Sequence, residues 1–185
     1  MAVSTLSRQT IDTDTAQRSV RYTFLVIGYG NELRGDDAVG AQVAKAVANW
    51  HLSEVKAIVT HQLLPELAVE IAKANYVIFV DACGEESCAR NVQLTPMVMQ
   101  RGKSPSVTLA HTHSAEGLLA LTQKVYGFVP QAWLLQVPTE SFGFGKQLSS
   151  IAHRGIDEAV QTIERFYLNY QVPYFVTFRS CMKSA

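Results

Sequence analysis

The chain has 185 residues, 48% of them apolar, and 16 basic against 16 acidic side chains, so its formal net charge is zero. That length suits one domain with a proper core, and the apolar share is ordinary for a globular protein. Zero net charge without a cluster of Lys and Arg argues against nucleic acid as the main partner, and no apolar run is long enough to cross a membrane.

Residues 1–20 lack the apolar core of a secretory signal and read as a disordered polar tail. A single α/β domain is expected over 21–170, with a C-terminal tail over 171–185. Cys83, Cys88 and Cys181 form an odd, sparse set with no C-x-x-C. This argues against a structural zinc site and for a reducing compartment, so the cytoplasm is the expected location.

The first element is the apolar run Phe24 to Ile27, a buried strand that stops at Gly28. Apolar residues from Ala38 onward (Val39, Val43, Ala46, Val47) recur at helical spacing, and this helix is expected to end near Trp50. Between strand and helix lie Gly28, Gly30, Glu32, Asp36 and Asp37. A dinucleotide loop would need a third glycine where Leu33 stands. Gly30 and Gly35 have the spacing of a phosphate-cradling loop, but Asp36 and Asp37 follow where Lys and Ser or Thr are needed. Two carboxylates there repel a phosphate and suit a cation or a proton. Alternatively Asp36 caps the helix and Asp37 complements its dipole.

Val55 to Thr60 reads as a second strand, and His61 and Gln62 at its carboxyl end read either as an exposed loop pair or as substrate contacts. Pro65 and Glu66 suit a first helical turn whose apolar face continues through Leu67, Ile71 and Ala74. Tyr76 to Val80 is a third buried strand that stops at Asp81. An aspartate at that end faces the crevice where open parallel sheets bind ligands, although a turn aspartate bonding its own backbone looks the same. Cys83 reads as a small buried packing residue rather than a nucleophile.

Asn91 to Met99, with Pro96 inside, suggests an irregular or edge strand. Ser114 is a good N-cap for a helix carrying Leu118, Leu119, Leu121 and Val125, which Gly127 ends. His111 and His113 precede it, and His113 is the nearer to the helix. Ala132 to Val137 is a further strand, and Ser149 opens a long amphipathic helix to about Tyr167. Strand and helix in alternation define an α/β sandwich with a mostly parallel sheet. Asp37, Asp81 and His113 then share one rim. Two carboxylates and an imidazole can bind a first-row divalent metal with open positions left, or act as general acid and base around a water.

The pattern G-x-G-N-x-L-x-x-D-D-x-x-G, read from Gly28 to Gly40, resembles that of the [NiFe]-hydrogenase maturation endopeptidases. The segments HQLLPELA from His61, VDAC from Val80, THS-AEGLLAL from Thr112 and VPTESFGFGKQLS from Val137 follow in that family's order. The resemblance implies a three-layer α/β/α sandwich. It also implies an endopeptidase that removes the C-terminal extension of a hydrogenase large-subunit precursor once nickel is in place. Its metal-contacting trio maps onto Asp37, Asp81 and His113. The first acid is Glu in some members and Asp here, a methylene shorter. The expected metal is nickel presented by the substrate, with no organic cofactor, and the expected partner is the precursor. A non-hydrolytic accessory protein recognising nickel-loaded precursor is the alternative, and a flavodoxin-like nucleotide binder is disfavoured by the acidic loop.

Overall fold

The computed structural model describes residues 22–84, 91–98, 114–145 and 147–171. The N-terminal tail and residues 172–185 of the C-terminal tail lie outside them. The described residues build a five-stranded sheet in the order β2-β1-β3-β5-β4. Its strands are β1 (Tyr22–Tyr29), β2 (Val55–Thr60), β3 (Ala74–Cys83), β4 (Gln93–Met97) and β5 (Gln131–Pro138). The first four in that order, β2, β1, β3 and β5, are mutually parallel, and β4 runs antiparallel at the edge. Pro96, which has no N–H to donate, is tolerated there because the strand has only one neighbour.

The helices are α1 (Val39–Ala48), α2 (Ala68–Ile71), α3 (Ala115–Tyr126) and α4 (Ser150–Gln171). Alternation along each strand sends side chains to opposite faces. Phe24 and Val26 of β1 and Ile78 and Val80 of β3 meet α1 and α4 through Val39, Val43, Ala159 and Ile163. Leu25, Ile27, Val77 and Phe79 point the other way and meet Ile71, Leu118 and Leu119 of α2 and α3. The result is the expected three-layer α/β/α sandwich. Both faces of the central strands are covered, which explains their near-continuous apolar runs.

At the amino ends of β1 and β3, Phe24 and Tyr76 stack with centroids 4.9 Å apart. Trp133 meets the ring of Phe166 at 4.6 Å, edge to face, which seats the last turns of α4. That end is plugged by aromatics, and the polar chemistry lies at the opposite end.

Two expected boundaries change. Ala74 does not continue a helix: a 3-10 turn, Pro65–Leu67, leads into α2, which is a single turn, and Ala74 already opens β3 opposite Tyr22. Strand β3 also runs past Val80, because Asp81, Ala82 and Cys83 pair with Gln136, Val137 and Pro138 of β5. Asp81 therefore sits within the paired strand rather than in a turn after it. The N-cap of α3 is as expected: Ser114 Oγ accepts from the Gly117 N–H at 3.1 Å, and Gly127 ends the helix in the left-handed region at φ 68°.

Candidate active site

The chain leaves β1 to form β2 on one side and later β3 on the other, so the carboxyl ends of β1 and β3 mark the point where strand order reverses. Parallel sheets open a crevice there. The first turn of α1 is pressed onto that point. A Cβ on Gly40 would lie 2.4 Å from the Tyr29 carbonyl oxygen and 2.6 Å from that of Val80, so only glycine fits. The intervening loop doubles back through Gly30, whose φ of 136° is open to glycine and strained for other residues.

This packing brings Asp37 and Asp81 together. Asp37 Oδ2 accepts the Asn31 N–H at 2.8 Å, and Asn31 Oδ1 accepts the Leu33 N–H at 2.9 Å, which fixes the loop around the carboxylate. Asp81 projects from β3 on the α3 side of the sheet. Burial pushes its carboxyl above the usual range, and the negative charge of Asp37 adds to the rise. Hydrogen bonds from the Tyr29 hydroxyl and the Ala82 N–H act in the other direction without cancelling the effect. The Tyr29 phenol is itself pushed up by burial, by the Asp81 charge and hydrogen bond, and by Glu116 in the first turn of α3. It stays protonated and donates to Asp81. The amino end of α3 therefore opens on the same rim. His113, the third member of the expected trio, lies outside the described residues, as does His111. Among the described residues no three His, Cys, Asp or Glu side chains gather as metal ligands.

Asp36 has a different job from the cap considered for it. It is 0% exposed and makes no cap hydrogen bond to its own helix. Its Oδ2 accepts from the Glu140 N–H (2.9 Å), the Ser141 N–H (3.0 Å) and the Ser149 hydroxyl (2.7 Å). Its Oδ1 accepts from the Ser149 N–H at 2.6 Å. Burial alone would raise this carboxyl, but the donors at Ser149, Glu140 and Ser141 outweigh it and hold the group below its ordinary value. Ser149 Oγ in turn accepts from the Ala152 N–H at 3.1 Å and so caps α4. Asp36 thus ties the loop after β1 to the loop after β5. No local pattern signals it, since these partners lie more than a hundred residues further on. Tyr29 was legible in principle: alternation from Leu25 and Ile27 puts it on the face that Val77, Phe79 and Asp81 share.

Cys83 corrects an expectation. It is half-buried and disulfide-bonded, not a packed thiol, and Gln136 Nε2 lies 3.5 Å from its sulfur. Its bonding partner lies outside the described residues. A disulfide sulfur is not an attacking thiolate, in keeping with the expectation that Cys83 is not a nucleophile. Gln136, opposite Asp81 in the β3–β5 register, also lines a cleft of about 260 Å³ with Met97, Glu116 and Leu119. The cleft runs along β4 and α3.

No protein-family model and no curated protein matches this chain. Solved structures do. The hydrogenase 2 maturation peptidase of Thaumarchaeota archaeon SCGC_AB-539-E09 aligns at TM-score 0.60 and 23% identity, over 78% of this chain and 97% of that one. The [NiFe] hydrogenase maturation protease HycI of Thermococcus kodakarensis KOD1 aligns at 0.59 and 21%, over 78% and 92%. The hydrogenase maturating endopeptidase HybD of E. coli aligns at 0.58 and 20%, over 76% and 89%. The chain therefore has the fold of the hydrogenase maturation proteases along nearly their full length.

Proposed function

We propose that this protein is an endopeptidase that removes the C-terminal extension of a [NiFe]-hydrogenase large-subunit precursor after nickel insertion. The observation that carries the reading is the pair Asp37 and Asp81, brought together at the strand-order switch point of a fold shared with hydrogenase maturation proteases. Two hard carboxylates, with His113 as the third ligand, suit a borderline divalent ion with positions left open. In this reading the ion is nickel and belongs to the substrate. Asp37 and Asp81 dock against it and hold the adjoining peptide over the crevice. Tyr29 and the Ala82 N–H hold the Asp81 carboxylate by hydrogen bonds and leave it acceptor capacity for the incoming metal. The cleft along Met97 and Gln136 receives the chain next to the scissile bond.

The test mixes the protein with purified precursor, nickel-loaded or nickel-free, and follows the precursor mass. Loss of a C-terminal peptide from the loaded form alone is expected. Asp81→Asn is expected to abolish most of that cutting while remaining folded. Equal cutting of both precursors, or activity that requires stoichiometric zinc in the purified protein, would refute substrate-borne nickel. Binding of loaded precursor without a mass change would make the protein a recognition factor instead.

A further inference from the structure

The segment after β5 is held more firmly than its exposure requires. The Thr139 N–H donates to the Cys83 carbonyl at 3.0 Å, and the Glu140 and Ser141 N–H groups reach Asp36. The Asp36 N–H donates back to the Ser141 carbonyl at 2.8 Å. The Gly145 N–H donates to the Leu33 carbonyl at 2.8 Å, and Ser149 closes the loop on Asp36. A fully buried carboxylate is thus used to fix a surface loop, and that loop displays aromatic side chains. Phe144 is 78% exposed and Phe142 37%, while Leu33, across the Gly145 hydrogen bond, is 63% exposed. The Phe142 ring packs against Gly84, just past the end of β3: a Cβ on Gly84 would come within 2.2 Å of it. Glu32, Arg34 and Glu140, all exposed, form a polar rim.

The geometry points to Leu33, Phe142 and Phe144 as a preorganised docking platform for the folded protein substrate whose cleavable segment enters the Asp37–Asp81 crevice. This rests on the endopeptidase reading and adds how the substrate is held outside the crevice. Three observations select that occupant. The patch is continuous with the crevice, since Leu33 belongs to the Asp37 loop and Phe142 covers Gly84, three residues beyond Asp81. With a whole ring at roughly 200 Å², the three side chains expose on the order of 300 Å². A stable dimer needs about 800 Å² per partner, so the patch suits a transient protein contact rather than a second copy of this chain. Finally, apolar anchors ringed by polar groups and already fixed in place lose little entropy on docking, which favours binding that must be released after one cut.

The test compares wild type with Leu33→Ser/Phe144→Ser, using nickel-loaded hydrogenase large-subunit precursor from the source organism. Both replaced side chains are mostly in solvent, so the unfolding midpoint should stay as in wild type. KM is expected to rise at least tenfold, with kcat within about twofold of wild type. Uncut precursor is expected to bind Asp81→Asn less tightly by a similar factor when the two replacements are added. Unchanged KM with cutting intact overturns the platform and leaves the endopeptidase reading standing. Failure of wild type to bind or cut any loaded precursor overturns the endopeptidase reading, and the platform with it. A sedimentation shift from dimer to monomer on making the double variant would assign the patch to self-association and overturn the inference.

Discussion

Asp36→Asn is the sharpest probe of the clasp that joins the two loops. The amide matches the carboxylate in shape, so the change isolates hydrogen bonding and charge. If the amide oxygen takes the Oδ2 position, it retains the Glu140 N–H, the Ser141 N–H and the Ser149 hydroxyl, but each bond falls from charge-assisted to neutral. The amide NH₂ then faces the Ser149 N–H, which the carboxylate accepted at 2.6 Å, and two donors oppose each other in a site closed to water. The weakened bonds lose roughly 0.5–1 kcal/mol each, and the stranded donor costs about 1–3 kcal/mol. The sum is about 2.5–6 kcal/mol, enough to lower the melting temperature by roughly 10 °C without unfolding a domain of this size. Urea unfolding at pH 7 measures it. The pH dependence is a second check. The folded carboxyl lies below its unfolded value of about 3.9, so its contribution is complete above that value and is lost as pH falls through the folded value. The gap between wild type and Asp36→Asn should therefore narrow in acid. A difference under about 1 kcal/mol at pH 7, or one constant from pH 7 to pH 3, would refute the clasp.

Asp81→Asn should raise the urea midpoint at pH 7 even as it abolishes cutting, because burial makes the charged form unfavourable. Since the folded carboxyl lies above its unfolded value, the gain should be full above the folded value and gone below the unfolded one. Gly28→Ala would put a Cβ 1.9 Å from the Gly40 carbonyl oxygen; a loss of about 3 kcal/mol or failure to fold is expected in denaturant titration. Ser114→Ala removes the α3 cap and should cost about 1 kcal/mol by the same measurement.

The layers of the fold were legible because they rest on local signals: apolar runs for buried strands, helical spacing for α1, α3 and α4, and Ser114 and Gly127 as terminators. Strand β3 outruns its apolar run, which the charged Asp81 ends, because the ladder to Gln136 and Pro138 continues beyond it. A hydrogen-bond ladder is indifferent to the side chain's polarity. Ala74 fits the helical spacing of the α2 region, but its pairing with Tyr22 draws it into the sheet. That Asp37 and Asp81 should come near each other could be expected, because the rim of a parallel sheet is a place defined by topology. The clasp, the Tyr29 hydrogen bond and the seat of Phe142 on Gly84 depend on which loops meet, and no local pattern encodes that.

The adjacent aspartates divide two needs that a single carboxylate could not meet. Asp36 spends both oxygens on four donors within the protein and is sealed from solvent, so it faces the interior. Asp37 is half-exposed and commits Oδ2 to Asn31; among the described residues its other oxygen has no hydrogen-bond partner. One residue of chain thus turns a carboxylate from the interior to the crevice, through a 3-10 turn, Gly35–Ala38, rather than a regular helix. Asp36 ties the loop that carries Asp37 to the loop after β5 and to the start of α4, which opposes any drift of Asp37 away from the like charge of Asp81. Loosening the clasp should therefore let the two acids separate.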